Sequence, residues 1–222
     1  MAKIAIVVVG THGEVRPQLA LGVALRDAGH EVIMCAPPNE EKWITSYGFK
    51  FYSAGCDIQD LMKDLNKYMG HPVQMLKAVK TTLQTIIHDQ FQQLEEAIKD
   101  VDLIIGGGQP FAAPSIAEKN NIPFIFVNLV TQFLPSSNYP PTVIPWQNMP
   151  KLLNKMSWGS INFLMNTALV GTINESRKRL GLSPIKDIYD YMLDACKLCI
   201  IAINEILDPA PKYNFNYIQT GL

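Results

Sequence analysis

The chain opens with a strand, a short turn and a helix in immediate succession. Apolar residues fill positions 4–9, a glycine-bracketed segment follows at 10–17, and an amphipathic run covers 18–28. A strand that leads directly into a helix is the first half of a βαβ unit, and such units build parallel sheets. In open parallel sheets, ligands bind outside the carboxyl ends of the strands. The opening therefore predicts a parallel sheet with a candidate site at 10–17.

The rest of the sequence repeats this alternation of apolar runs and helical patterns. Two helical patterns stop directly ahead of an apolar run, one at Gly29 and one at Asn120 and Asn121. The apolar runs are nearly continuous, as expected for strands that helices cover on both faces. Strands are predicted at 4–9, 31–36, 49–53, 103–105, 124–128 and 198–203. The predicted fold class is α/β, a Rossmann-like doubly wound parallel sheet with helices on both faces.

Two segments stand outside this alternation. Residues 57–99 are predicted to be mostly helical with a break at 70–72, and 135–145 form a long proline-rich loop, a kind of loop that is usually functional. The helix predicted at 148–180 is unusually apolar. Its aromatic residues, together with those that flank it, either line an apolar ligand pocket or belong to the core.

The charge balance limits the kinds of partner. The 222 residues include 19 Lys and Arg and 20 Asp and Glu, for a net charge of −1, with the two signs interspersed. Without a basic stripe, no nucleic-acid partner is expected. Residues 2–9 are too short an apolar run for a signal peptide, and no run is long enough to span a bilayer. We therefore expect a cytoplasmic protein.

No metal site or dinucleotide cofactor is expected from the motifs. Cys196 and Cys199 have the spacing of half a zinc site, but no second Cys or His pair accompanies them, so they are interpreted as core residues. Gly10 and Gly13 do not form the Gly-x-Gly-x-x-Gly fingerprint, and the second predicted strand has no acid at its end to bind a ribose.

Three turns are predicted at the carboxyl ends of strands, at 10–14, 106–110 and 129–133. In this architecture they converge on one cleft. The three glycines at 106–108 either bring the backbone close to a ligand or accommodate a tight turn.

Three polar side chains of the first turn are candidates for chemistry. Glu14 lies at the predicted N-terminus of the first helix, where the helix dipole stabilises an acid and lowers its pKa. A role as a catalytic base therefore requires apolar surroundings that raise the pKa again. His12 is either an assistant in proton transfer or a hydrogen-bonding surface residue. Thr11 either caps the turn or contacts a ligand.

The first turn and the phrases after it resemble the N-terminal domain of GT-B glycosyltransferases. Positions 10–17 read Gly-Thr-His-Gly-Glu-Val-Arg-Pro, where that family has Gly-Ser/Thr-Arg-Gly-Asp-Val-x-Pro. The chain is similar to the sterol glucosyltransferases, the glycopeptide-antibiotic glycosyltransferases and, more widely, the UDP-glycosyltransferase superfamily. Further phrases match in order at 36–38, 47–51, 116–119, 121–124, 173–182 and 217–221.

The resemblance implies the acceptor-binding half of an inverting enzyme, with residues 1–222 as a single domain. Such an enzyme moves a hexose from a nucleotide sugar to a hydroxyl of an apolar acceptor, here a sterol, lipid or aglycone. The family's acid falls on Glu14, which would take the proton of that hydroxyl with His12 as assistant. The predicted acceptor-binding residues are Gly10, Thr11, Gln109, Phe111, Gln132, Phe133 and Trp146.

The resemblance also implies a second half that binds the donor. No nucleotide-sugar signature occurs in these residues, so a donor such as UDP-glucose is expected in a C-terminal domain outside this chain or in a separate subunit. The alternative is a non-catalytic module that binds a lipid or another small molecule. Peripheral membrane contact by 148–180 is a further hypothesis, because an apolar acceptor has to be collected from somewhere.

Overall fold

One parallel sheet organises the part of the chain that this computed structural model describes, residues 1–129, 134–207 and 209–221. Within these ranges, seven strands follow the order β3-β2-β1-β4-β5-β6-β7. β2 and β3 follow β1 on one side of it. The chain then returns to the centre of the sheet, where β4 pairs with the other side of β1, and β5, β6 and β7 follow in order. The predicted doubly wound parallel sheet is confirmed. The strands are β1 (Lys3–Val9), β2 (Glu31–Ala36), β3 (Lys50–Ser53), β4 (Leu103–Gly108), β5 (Phe124–Asn128), β6 (Leu198–Ala202) and β7 (Tyr217–Thr220).

Alternate residues of β1 point to opposite faces of the sheet and belong to two separate cores. Helices cover both faces. The even-numbered residues of the strand pack with α1 and α2, and the odd-numbered ones pack with α4, α5, α7 and α8. A π-helical segment at Asn166–Val170 joins α6 to α7. The helices are α1 (His12–Asp27), α2 (Glu41–Ser46), α3 (Ile58–Asn66), α4 (Pro72–Ala97), α5 (Ala113–Asn120), α6 (Lys151–Met165), α7 (Gly171–Arg179) and α8 (Ile188–Asp194).

The two helical segments outside the alternation also have the secondary structure that the sequence predicts. The helical stretch predicted at 57–99 forms α3 and α4 with the expected break between them, and 148–180 forms α6, the π-helical segment and α7. The described residues 134–150 contain no helix or strand. This loop is fixed to α6, because Trp158 Nε1 donates to the Tyr139 carbonyl at 2.9 Å and Asn154 Nδ2 donates to the Ser137 carbonyl at 3.1 Å.

The glycines at 106–108 correct the sequence prediction, because they belong to β4 and not to a turn. Gly106 pairs with both Val7 and Phe126 across the sheet. A β-carbon on Gly106 would lie 2.7 Å from the Phe124 ring and 2.9 Å from Pro110. The missing side chains therefore let neighbours pack directly on the strand, and only Gly108, with φ of +67°, has a backbone conformation that favours glycine.

We expect Gly106→Ala to destabilise the fold by about 1–3 kcal/mol, because the new methyl group has no space between the Phe124 ring and Pro110. Urea unfolding followed by circular dichroism measures the change. Gly171→Ala is the control, since a β-carbon there meets nothing within 4 Å in a helix. Equal unfolding midpoints for Gly106→Ala and the unsubstituted chain would contradict this account of the packing.

Candidate functional site

Glu14 lies where the order of the strands reverses. β1 and β4 are neighbours that end together at Val9 and Gly108, and α1 starts just beyond them at His12. Glu14 Oε2 accepts a hydrogen bond of 2.7 Å from the backbone N–H of Thr11, the residue before the helix. The acid of a capping box makes the same bond. The start of the helix therefore orients the carboxylate toward the carboxyl edge of the sheet.

Two glycines make room for this carboxylate. A β-carbon on Gly10 would overlap Cδ and Oε2 of Glu14, so the side chain lies directly against the Gly10 backbone. On the other side, a β-carbon on Gly108 would lie 3.4 Å from Glu14 Oε1. The ends of β1 and β4 thus form a cradle without side chains, and the carboxylate occupies it.

The surroundings raise the pKa of Glu14 above the ordinary value of a glutamate. Burial is the largest cause, because it disfavours the charged form, and hydrogen bonds from the backbone and side chain of Thr11 lower the pKa by less. The helix dipole alone predicted a lowered pKa for Glu14. Burial outweighs that effect, so the carboxylate has the surroundings that a general base requires.

An apolar cavity of about 380 Å³ lies on one side of Glu14. We call it the β5–α8 cavity. Its polar lining includes Glu14, Gln109 and Asn128. Its apolar wall comes from Phe111, Phe126, Leu134, Ile188, Met192 and Leu193.

A second cavity, of about 500 Å³, lies on the other side of Glu14. We call it the α4–α6 cavity, and Gly10, Thr11 and Glu14 form its polar end. Its apolar wall comes from Leu61, Val79, Leu83, Ile86, Trp158 and Ile161. Both volumes fall within the range of about 300–1,000 Å³ that is typical of small-molecule sites.

Four side chains line both cavities: Glu14, Gln109, Met165 and Tyr189. They form the boundary between the two spaces. The boundary therefore places one carboxylate with a raised pKa beside two apolar spaces. An apolar molecule held in either cavity can present a hydroxyl to Glu14.

The structure brings together five of the residues that the sequence predicted. Gly10, Thr11, Glu14, Gln109 and Phe111 all line at least one of the two cavities. This arrangement follows from the meeting of strand ends at one edge of a parallel sheet.

Other predicted residues are not brought to the cavities. His12 turns toward α2, where its Nδ1 lies 2.9 Å from Oε2 of the buried Glu40 and its ring packs 4.5 Å from Trp43. Trp146 is 72% exposed and belongs to the lining of neither cavity. Gln132 and Phe133 lie outside the residues that the structure describes.

Several residues that line the cavities were not predicted from the sequence. Tyr189 and Met192 come from α8, whose sequence carries no signal for a cavity. Burial raises the pKa of Tyr189 to about 12. α4 was predicted as a helix, but the sequence did not indicate that its Val79, Leu83 and Ile86 line a cavity.

Across 1–129, 134–207 and 209–221, no three His, Cys, Asp or Glu side chains come close enough to hold a metal ion. No described helix has the length and apolar composition needed to cross a membrane.

Comparisons with known proteins agree on the fold. Residues 4–137 match the family model described as the glycosyltransferase family 28 N-terminal domain. The solved structure of the calicheamicin glycosyltransferase CalG4 aligns with the whole chain at a TM-score of 0.67 and 17% identity, over 53% of its own length. A likeness of this kind shows a shared fold.

Curated proteins of similar sequence include two glucosyltransferases. Vancomycin aglycone glucosyltransferase of Amycolatopsis orientalis is 24% identical over 99% of this chain and 53% of its own length. Sterol 3-beta-glucosyltransferase of Pichia angusta is 29% identical over 55% of this chain and 10% of its own length. The chain spans about half the length of the Amycolatopsis relatives that it matches.

Proposed function

The chain belongs to the glycosyltransferase family 28 N-terminal domain family, and from this premise we propose that it is the acceptor-binding half of an inverting glycosyltransferase. The observation that carries the proposal is the Glu14 carboxylate, with its raised pKa, between two apolar cavities. The acceptor is an apolar molecule with a hydroxyl group, of the class to which sterols, lipids and antibiotic aglycones belong. The names of the relatives support that class.

Glu14 is the general base of the proposed reaction. The acceptor hydroxyl gives its proton to the carboxylate while its oxygen forms a bond to the anomeric carbon of the sugar. The bond from that carbon to the nucleoside diphosphate breaks on the opposite side, and the diphosphate leaves with the electron pair, so the centre is inverted. A base is most effective when its pKa lies near the working pH, and burial moves Glu14 in that direction.

The two cavities hold the acceptor in place for this step. Much of the rate enhancement in a transfer between two substrates comes from holding the reacting atoms in contact and in line. Gly10, Thr11, Gln109 and Phe111 line the space around Glu14 and are the proposed acceptor contacts. His12 remains a proposed assistant in the proton transfer, with its Nδ1 2.9 Å from Oε2 of Glu40.

The nucleotide sugar binds outside this domain. We propose that residues 1–222 form one acceptor-binding domain and that a donor such as UDP-glucose is held by a further domain or by a partner subunit. The open carboxyl edge of β1, β4 and β5 beside Glu14 is the side from which the donor approaches.

Calorimetry and a transfer assay test this division of labour. We expect this chain to bind a sterol or aglycone, to show no tight binding of UDP-glucose, and to transfer labelled glucose only when the donor-binding half is present. Tight binding of UDP-glucose by the chain alone would contradict the division. Acceptor binding without transfer, with the donor-binding half present and loaded, would identify a non-catalytic binding module instead.

Met165 is expected to limit the size of the acceptor, because it forms part of the boundary between the cavities. In Met165→Ala the two spaces join, so the affinity for the fluorescent sterol dehydroergosterol should rise relative to that for the smaller estradiol, by roughly threefold or more. Fluorescence titration measures both affinities. Met69→Ala is the control, since Met69 is exposed and lines neither cavity. An unchanged affinity ratio in Met165→Ala would contradict this role.

A further inference from the structure

The turn that joins β4 to α5 supplies part of the wall of both cavities. We call residues 109–112 the β4–α5 turn. Gln109 lines both cavities, and Phe111 lines the β5–α8 cavity. Pro110, Phe111 and Ala112 are buried, so the backbone N–H and C=O groups of this turn need partners inside the protein. Those partners fix where Gln109 and Phe111 stand.

Gln90 of α4 holds the β4–α5 turn from the side of the α4–α6 cavity. It is fully buried, and it follows by one helical turn Ile86, which lines that cavity. Gln90 Nε2 donates to the Gln109 carbonyl at 3.0 Å, and Gln90 Oε1 accepts from the Ala112 N–H at 3.2 Å. Both ends of the side-chain amide are therefore used on the turn.

Tyr191 of α8 holds the same turn from the side of the β5–α8 cavity. It is buried in α8 between Ile188 and Met192, which both line that cavity. Tyr191 Oη donates to the Phe111 carbonyl at 2.8 Å and accepts from the Ser115 N–H at 3.0 Å. Burial raises the pKa of Tyr191 to about 12, so at neutral pH the hydroxyl keeps the proton that it donates.

A buried arginine sets the direction of these hydrogen bonds. Tyr191 has one hydroxyl proton, which the Phe111 carbonyl accepts, so Ser115 Oγ is the donor in its 2.6 Å contact with Tyr191 Oη. Ser115 Oγ in turn accepts from Arg177 Nη1 at 3.0 Å, and Arg177 is 3% exposed. Hydrogen bonds that run in one direction polarise one another, so the series from Arg177 to Phe111 strengthens the last bond.

With these side chains, each backbone polar group of the β4–α5 turn has a partner. The Ala112 N–H depends on Gln90, and the Phe111 carbonyl depends on Tyr191. The other backbone groups of the turn bond to the Val9 carbonyl, to one another or to α5. Loss of either side chain therefore leaves a buried backbone group without its partner, which destabilises the observed position of the turn.

We propose that Gln90 and Tyr191 are positioning residues that set the shape of the two cavities, because they fix the β4–α5 turn to α4 and to α8. Neither side chain lines either cavity, so each acts through Gln109 and Phe111 and not by touching the acceptor. For an acceptor this role rests on the proposed function, but the hydrogen bonds themselves do not. Glu14 is held separately, by the start of α1, so loss of either residue should weaken acceptor binding and leave kcat nearly unchanged.

Amide hydrogen exchange tests the hydrogen bonds, with the full chain and no ligand. In Gln90→Met the Ala112 N–H should exchange at least roughly tenfold faster, because methionine keeps the length of the side chain and lacks the amide. In Tyr191→Phe the Ser115 N–H should exchange faster by the same factor, because the ring stays and the accepting oxygen is lost. The two variants are independent, so each one that folds tests the proposal. An unchanged rate in either would overturn it.

Fluorescence titration with dehydroergosterol tests what these hydrogen bonds do for an acceptor. Each variant should bind it roughly five- to tenfold more weakly than the unsubstituted chain, and the complete enzyme should show a matching rise in KM. Faster amide exchange with unchanged affinity would overturn the proposal, since the role of Gln90 and Tyr191 would then be structural only. If the unsubstituted chain bound neither this sterol nor an antibiotic aglycone, the proposed function would fail together with the positioning role.

Two matched controls make the same kinds of bond elsewhere. Gln93, also in α4, accepts from the Gly55 N–H at 2.8 Å and donates to the Gly55 carbonyl at 3.3 Å. Tyr217 Oη donates to the Pro211 carbonyl at 3.3 Å. Gln93→Met and Tyr217→Phe should leave the exchange of the turn amides and the affinity unchanged, because none of these four residues lines the two cavities. Thermal melts verify that each variant is folded, and an equal loss of affinity in the controls would overturn the proposal.

Discussion

Glu14→Gln is expected to lower kcat of the complete enzyme, this chain together with its donor-binding half, by roughly 10²- to 10⁴-fold. The amide keeps an oxygen that accepts the Thr11 N–H but cannot take the acceptor proton. Acceptor affinity should change little, since the apolar walls of both cavities are untouched. A transfer assay with kcat and KM measured separately distinguishes the two effects.

The raised pKa of Glu14 also predicts how the difference in stability between Glu14→Gln and the unsubstituted chain depends on pH. Because folding favours the protonated form, this residue contributes stability at pH below its ordinary pKa, and that stability is lost as pH rises through its raised pKa. Glu14→Gln should therefore melt higher than the unsubstituted chain at neutral pH, with a difference that disappears in acid. Transfer by the unsubstituted enzyme should decline in acid at a pH above the ordinary pKa of a glutamate, because the pKa of Glu14 is raised.

The matched control for Glu14→Gln is Glu41→Gln, which makes the same change at an exposed residue of α2. It should leave transfer unchanged and should not raise the melting temperature at neutral pH as Glu14→Gln does. Transfer by Glu14→Gln at the rate of the unsubstituted enzyme would refute the assignment of Glu14 as the base.

Gly10→Ala is expected to lower kcat by roughly 10²-fold without any change in the acid itself. The new methyl group would overlap Cδ and Oε2 of Glu14, so the carboxylate has to leave its cradle. A displacement of about 1 Å from the reacting atoms is enough for a loss of this size. The transfer assay measures the loss, and a melt verifies that the variant is folded.

The control for Gly10→Ala is Gly171→Ala, in a helix where the new methyl group meets nothing within 4 Å. It should retain full transfer. If Gly10→Ala also retained full transfer, the carboxylate would not need its observed position, and the cradle formed by Gly10 and Gly108 would have no part in the reaction.

Strands β1 to β6 were predictable because their sequences are locally decisive, whereas β7 was not among the predicted strands. Continuous apolar runs bounded by helix stops such as Gly29 and Asn121 have few alternatives, and both stops adopt the left-handed conformation that the sequence favours there. The family resemblance, carried mainly by residues 10–17, is confirmed by the family model. The place of Glu14, at the start of α1 just beyond the end of β1, could be predicted from the same pattern.

Other features were not predictable, because they depend on neighbours that are distant in the sequence. The glycines at 106–108 gave the pattern of a turn, but Phe124 and Pro110 pack on them inside the sheet. The contact between His12 and the buried Glu40, 28 residues away in the sequence, could not be read from the sequence. Trp146 is an aromatic residue of the kind that lines apolar pockets, but it is exposed.

The sequence by itself determined the doubly wound sheet and the place of Glu14 at its carboxyl edge, because hydrophobic periodicity and turn chemistry act over a few neighbouring residues. Only the tertiary structure decided the direction of the pKa shift of Glu14, the two cavities beside it and the hydrogen bonds from Gln90 and Tyr191 to the β4–α5 turn. Burial is the physical reason. Burial depends on which helices pack beside one another on the sheet. The sequence of a single helix does not determine which of its faces other elements will cover.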